Sequence, residues 1–244
     1  MEPLVTITMD GPGKNALGTE MMAFLVRQLA AADGRPLLLT GAGDAFSAGL
    51  NLKEVGALDG STIGDFLRRL EACLSALYLY PGPTVALVNG HAIAGGCVLA
   101  LCCDWRVALV HPKSKIGLNE VALGLRFPPR TLEIVRRRVP AQHHQEVLLG
   151  AALHDPTQAL RLGLVDEVVA TVESATIRAN DRLTALGAHP IDAYAATKRA
   201  LRGTESELCR DDDQERLLRD AMPAWTSPML KARIDAVLSS RRAR

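Results

Sequence analysis

Residues 83–110, PTVALVNGHAIAGGCVLALCCDWRVALV, decide the fold. Residues 83–88 form a short apolar run that opens on proline and stops at Asn89-Gly90, the pattern of a buried strand. Gly95 opens a second apolar segment that continues as a helix through Cys102. Residues 105–110 then return to a strand. Strand, loop, helix and strand follow one another here. The strands lack the in-out alternation of a sheet with one wet face. Such strands belong to a sheet covered on both sides, which implies an α/β layer architecture. The apolar text is interrupted by Asn89, Gly90, His91, Gly95, Gly96, Asp104 and Arg106. That number of polar and turn residues rules it out as a membrane span.

The same alternation extends toward the N-terminus. Residues 4–9 (LVTITM) and 35–40 (RPLLLT) read as strands. Between them Thr19 is placed to cap a helix whose apolar positions Met22, Phe24, Leu25, Leu29 and Ala30 recur at helical spacing. Residues 61–80 form a second amphipathic helix. Beyond about residue 129 the strand signal mostly stops. Helical segments follow at 130–139, 141–149, 156–162, 176–186, 190–201, 205–218 and 228–238. The expected organisation is an α/β core over residues 1–190 and a helical C-terminal region over 191–244, the latter suited to oligomerisation.

Composition narrows the function classes. The chain has 244 residues, 48% of them apolar, and a formal net charge of +1. A sizeable core is possible, and no strong field is available for nucleic acid or an anionic membrane. Basic residues cluster only at Arg136-Arg137-Arg138 and in the tail from Arg241, and aromatics that could stack on bases are scarce. The cysteines Cys73, Cys97, Cys102, Cys103 and Cys209 are odd in number and lack metal spacing, which suits reduced core thiols. His143 and His144 adjoin on a helical segment and point to different faces, a poor metal pair. Met1-Glu2-Pro3 lacks the form of a secretory signal. A cytoplasmic protein with no metal site and no tightly bound cofactor is expected.

Three segments could carry chemistry. The first, residues 44–53 (DAFSAGLNLK), follows a buried strand, and its small residues Ser47, Ala48 and Gly49 allow a ligand close to the backbone. An ordinary strand-to-helix loop would read the same way. The second, residues 88–97 (VNGHAIAGGC), ends with paired glycines that open an apolar helix. Helix N-terminal N–H groups have no intrahelical partner and lie at the positive end of the dipole, so they stabilise a phosphate or an oxyanion. The lysine and hydroxyl residue of a phosphate loop are missing. Close helix packing at Gly95-Gly96 is the equal alternative. The third, residues 116–120 (IGLNE), sets Glu120 in apolar text. Burial destabilises the charged form of a carboxylate, which suits proton transfer near neutral pH. A solvated loop glutamate is the competing reading.

Taken together, in this order and spacing, the three segments resemble the crotonase superfamily, the enoyl-CoA hydratases and isomerases. Residues 46–53 resemble its first oxyanion-hole loop and residues 89–97 its second. Similar text continues at 156–169 and 196–201. The resemblance implies a (ββα)n spiral core. It assigns the oxyanion hole to the N–H groups of Leu50 and Gly95. It places the Ala48 backbone against the adenine of coenzyme A and Lys53 near the coenzyme's phosphates, with the coenzyme part of the substrate. Glu120 falls on one of the two catalytic carboxylates of the hydratases, and the other position falls on Val98.

That departure bears on the reaction. Hydration needs one group to activate water and another to deliver a proton, whereas a 1,3-proton shift needs one carboxylate. The surrounding text is most similar to the mitochondrial-type Δ3,Δ2-enoyl-CoA isomerase branch, which implies conversion of 3-enoyl-CoA into 2-trans-enoyl-CoA in fatty acid metabolism. Another acyl-CoA reaction of the fold (decarboxylation, dehydration or hydration) and a non-catalytic acyl-CoA-binding protein are the alternatives. The resemblance also implies a homotrimer or a dimer of trimers, with Trp225 available to pack the C-terminal helices against a neighbour.

Overall fold

A computed structural model describes residues 4–242; residues 1–3, on which the expectation about a signal rested, and residues 243–244 of the basic tail lie outside the described residues. The strands are β1 (Val5–Met9), β2 (Leu37–Gly41), β3 (Ala45–Ser47), β4 (Thr84–Val88), β5 (His91–Ile93), β6 (Trp105–Leu109), β7 (Ile116–Gly117) and β8 (Glu167–Val169). The helices are α1 (Pro12–Asn15), α2 (Thr19–Ala32), α3 (Leu52–Ala57), α4 (Ile63–Tyr78), α5 (Gly95–Cys102), α6 (Pro129–Arg138), α7 (Pro156–Arg161), α8 (Val172–Gly187), α9 (Ile191–Arg202), α10 (Glu205–Leu208), α11 (Asp211–Trp225) and α12 (Pro228–Arg242).

Five strands form one parallel sheet in the order β1-β2-β4-β6-β8, and three short strands form a second parallel sheet in the order β3-β5-β7. This is the crotonase-like α/β architecture. All five residues of the central strand β4 are buried, as expected for a strand covered on both faces. One face packs into the main core with α2, α4 and α5. The other meets α8, where Ala175, Ala179 and Leu183 recur every four residues against Leu38, Val85, Leu87 and Val107. Cys73, Cys97, Cys102 and Cys103 are buried free thiols of the core, as their apolar context indicates. No helix among the described residues is long and apolar enough to cross a membrane.

The strands read at residues 4–9, 35–40, 83–88 and 105–110 are β1, β2, β4 and β6. The fifth strand of that sheet, β8, was not expected among helices. It lies in DEVV, three residues that pair with Val107, Ala108 and Leu109. The helix expected at 141–149 is instead a 3₁₀ turn followed by a single π-helical stretch. The segment 205–218 divides into α10, which opens on a capping box between Thr204 and Glu207, and α11. Thr19 does not cap α2 with its own side chain; it is the first helical residue, and its N–H donates to Glu54 Oε2 of α3 at 3.1 Å.

The helical C-terminal region is anchored by one half-buried carboxylate. Asp104 Oδ2 accepts from Thr84 N–H at 2.7 Å and from Lys198 Nζ at 2.8 Å, and Oδ1 accepts from Arg202 Nη2 at 2.6 Å. Arg202 also donates to Cys102 O at 2.7 Å, which satisfies a terminal carbonyl of α5.

Candidate active site

The site is assembled by backbone contacts between separate loops. Ala48 N–H donates to Lys14 O, Leu17 N–H to Gly49 O and Asn51 N–H to Leu17 O, at 2.7–3.0 Å. Successive N–H groups of an extended segment point to opposite sides. With Asn51 N–H bound to Leu17, the N–H of Leu50 faces the other way. Asn15, buried at a φ of +58°, fixes the segment from beneath. Its Nδ2 donates to Ala45 O at 2.8 Å and Ala42 O at 3.0 Å, while Ser47 Oγ donates to Asn15 O at 2.8 Å. Sequence reading passed over Asn15. Its signal was an asparagine just after Gly11-Pro12-Gly13, since asparagine tolerates positive φ and bonds nearby backbone.

Glycines bring this loop against the second one. Gly49 has φ +84°, and a Cβ there would lie 2.5 Å from Ile93 O; a Cβ on Gly96 would lie 2.3 Å from Ser47 O. The two loops therefore touch backbone to backbone. Gly96 serves the close approach, and Gly95 is the first residue of α5. Ala94, which precedes it, sits at φ +49°, ψ −122°, a conformation that is costly for a residue with a side chain. Its N–H donates to Gly117 O at 2.8 Å and its carbonyl accepts from Val98 N–H at 3.0 Å. α5 thus starts abruptly, with the unpaired N–H groups of its first turn at the positive end of the helix.

Ala48, Leu50, Gly95 and Glu120 line one cavity of about 80 Å³. Its remaining wall is largely carbon, including Leu70, Leu74, Phe127 and Trp225. Glu120 is the only ionisable side chain among the described residues that line it. The residue is 6% exposed, and its Oε2 has no hydrogen-bond partner. Burial without a compensating cation raises its pKa from the ordinary 4.5 to about 7. Its backbone is held by a tight turn in which Leu123 and Leu125 N–H donate to Glu120 O at 3.0 and 2.9 Å. The side chain is thus a buried carboxyl whose pKa lies near neutrality, set in a largely apolar wall.

The model for the enoyl-CoA hydratase/isomerase family matches residues 2–223. The chain belongs to that family. It is 36% identical over 124 residues to mouse mitochondrial enoyl-CoA delta isomerase 1, a match covering 51% of this chain and 43% of that protein. It is 32% identical over 181 residues to the enoyl-CoA isomerase/hydratase fer4 of Mycosarcoma maydis, covering 74% and 66%. These curated matches thus extend over less than half to about two thirds of the relatives' own length. The crystal structure of human mitochondrial Δ3-Δ2-enoyl-CoA isomerase superposes with a TM-score of 0.88 at 25% identity, covering 98% of this chain and 94% of that one.

Within this enoyl-CoA hydratase/isomerase family chain, two expected site positions stand apart from the cavity. Lys53 is exposed in the first turn of α3 and does not line it. Val98 is fully buried in α5, and its N–H donates to the carbonyl of the lining residue Ala94, but it is not itself among the lining residues. Asn51 acts locally, since its side chain accepts from Glu54 N–H and caps α3. Glu71 was missed. It lies on the apolar face of α4 and is fully buried. Its Oε1 accepts from Arg130 N–H at 2.7 Å and Thr131 N–H at 3.3 Å, and Oε2 accepts from Gln214 Nε2 at 2.7 Å. Glu71 thereby caps α6 and holds the cavity wall at Pro128 and Thr131. The available signal was a glutamate at helical spacing between Leu67, Leu70 and Leu74.

Proposed function

We propose that the protein is a Δ3,Δ2-enoyl-CoA isomerase. The observation that carries this reading is the single carboxylate, Glu120, in an otherwise uncharged cavity that also contains Leu50 and Gly95. The thioester oxygen of a 3-enoyl-CoA is held by the N–H groups of Leu50 and Gly95. Glu120 removes a proton from C2, and the electrons move onto the oxygen as a dienolate. The same carboxyl returns the proton at C4, so the double bond passes from C3–C4 to C2–C3. No atom is gained or lost, and Glu120 ends as it began. The coenzyme's adenine rests on the Ala48 backbone at the mouth. Lys53, exposed nearby in sequence, is placed to meet phosphates only from outside the cavity.

The electrostatic contribution of the hole and the proton transfer are separable. One oxyanion donor is worth about 3–4 kcal/mol of barrier, and a positioned general base about 10²–10⁴-fold. Hydration of a 2-enoyl thioester would need a second group to handle the other proton, and Val98 cannot. The discriminating experiment offers the protein a 3-enoyl-CoA and a 2-enoyl-CoA in separate assays. Rapid formation of 2-enoyl-CoA with little or no 3-hydroxyacyl-CoA is expected. Efficient hydration, or inertness toward 3-enoyl-CoA of every chain length, contradicts the reading.

A further inference from the structure

We infer that the cavity admits only short acyl groups and is closed to thioesters much longer than six carbons. The inference rests on the acyl-CoA reading above and adds the class of acyl chain. The first argument is volume. A cavity of about 80 Å³ is roughly half of the ~150 Å³ apolar cavity that holds benzene. Ala48, Leu50 and Gly95 are themselves part of its wall, so this volume takes in the thioester end as well as the acyl tail, and the space left for the tail is smaller still. A short alkyl tail fits such a space and a long one does not.

The second argument is what closes it. The far wall is built from side chains on separate elements that are fixed by their own packing. Leu70 and Leu74 of α4 are 3% and 0% exposed, and Trp225 at the end of α11 is 2% exposed. The Trp225 indole Nε1–H donates to Arg126 O at 3.1 Å, so the ring cannot swing aside without losing that bond. Val237 of α12 completes the wall from the last helix. Opening the floor means moving packed helices, not reorienting one exposed side chain.

The third argument is polarity. Thr131 is 4% exposed and its Oγ1 has no partner, and Asn119 Oδ1 is likewise buried and unpaired. Both residues line the cavity. Packing an alkyl tail against them shuts out the water that could otherwise satisfy these oxygens, an unfavourable contact that grows with the length of chain laid along the wall.

The test uses the full chain and two kinds of measurement. Calorimetric binding of the saturated thioesters butyryl-, hexanoyl- and decanoyl-CoA reads pocket length without any turnover. Hexanoyl-CoA is expected to bind at least tenfold more tightly than decanoyl-CoA. Trp225→Phe and, separately, Leu70→Ala enlarge the floor, and either is expected to narrow that ratio at least threefold. If one variant fails to fold, as judged by circular dichroism, the other decides. Decanoyl-CoA binding as tightly as hexanoyl-CoA overturns the proposal. So does a ratio that neither folded variant changes. A chain-length limit in binding, with no isomerisation of 3-hexenoyl-CoA, supports the pocket and overturns the proposed reaction. Failure of every acyl-CoA to bind overturns both.

Discussion

Glu120 is one carboxylate whose surroundings set both its chemistry and its cost. Its folded pKa, about 7, lies above the ordinary 4.5 because burial opposes the charge. Between those two values the unfolded chain has already released the proton that the folded chain retains. Stability therefore falls as pH rises through that window and levels off above about 7. A shift of this size corresponds to about 3 kcal/mol at most. Urea denaturation of Glu120→Gln, which has no charge to bury, should show the variant gaining on the wild type between pH 5 and pH 8. A constant difference across that range would show that Glu120 ionises normally. Glu120 was legible in the sequence because a lone carboxylate stood in apolar text. Glu71 was not, although it is more deeply buried. Its reason for being there is two N–H groups of α6, more than fifty positions away in the chain, and no local pattern exposes such a partner. Removing it by Glu71→Ala leaves those N–H groups and Gln214 unsatisfied in the interior. A loss of about 2–4 kcal/mol of stability is expected from chemical denaturation, and a change below 0.5 kcal/mol would deny the capping role.

The two loops proposed to carry the oxyanion hole are elements with little secondary structure of their own. Their positions come from glycines 49 and 96, which make backbone-to-backbone contacts, and from the side-chain amide of Asn15, which donates to the backbone carbonyl of Ala45. The first two were recognisable as small residues that let something approach. What approaches Gly49 and Gly96 is the other loop, and that was invisible before the chain was folded. The strands β3, β5 and β7 escaped notice for a similar reason. With two or three residues each they show no periodicity, and only their mutual pairing defines them. The long strands β2, β4 and β6 were readable because burial on both faces makes each a largely apolar run, and β1 because buried Ile7 and Met9 alternate with exposed Thr6 and Thr8. Gly49→Ala would force a Cβ to 2.5 Å from Ile93 O at a φ of +84°. The loops must then separate, and a displacement of about 1 Å at a reacting centre can cost about 10²-fold. The kcat for 3-enoyl-CoA isomerisation should fall by about that factor while circular dichroism stays native. Full activity in this variant would show that the close approach is not needed to shape the hole.

At the scale of the whole molecule, the C-terminal helices have two faces. One belongs to the site: Trp225 and Val237 line the cavity, and Asp104 ties α9 to the end of α5 through Lys198 and Arg202. Sequence reading set Trp225 against a neighbouring chain, whereas it is buried within its own. The other face carries exposed apolar side chains, among them Leu201 at 77% and Ile191 at 48%. Exposed apolar groups of that size are candidates for burial between subunits. Light scattering coupled to size-exclusion chromatography is expected to give three or six times the chain mass. A monomer at micromolar concentration would contradict that expectation.

The account turns on one proton carried by one carboxylate. Its most direct measurement is kcat/KM for isomerisation of 3-hexenoyl-CoA across pH 5–9, for the wild type and for Glu120→Gln. The base must be ionised to remove the C2 proton, so wild-type activity should rise with pH through about 7 and then level off. Glu120→Gln should lose at least 10²-fold, lack that rise, and still bind hexanoyl-CoA as the wild type does. An undiminished Gln variant, or an activity that does not depend on pH near 7, would contradict it.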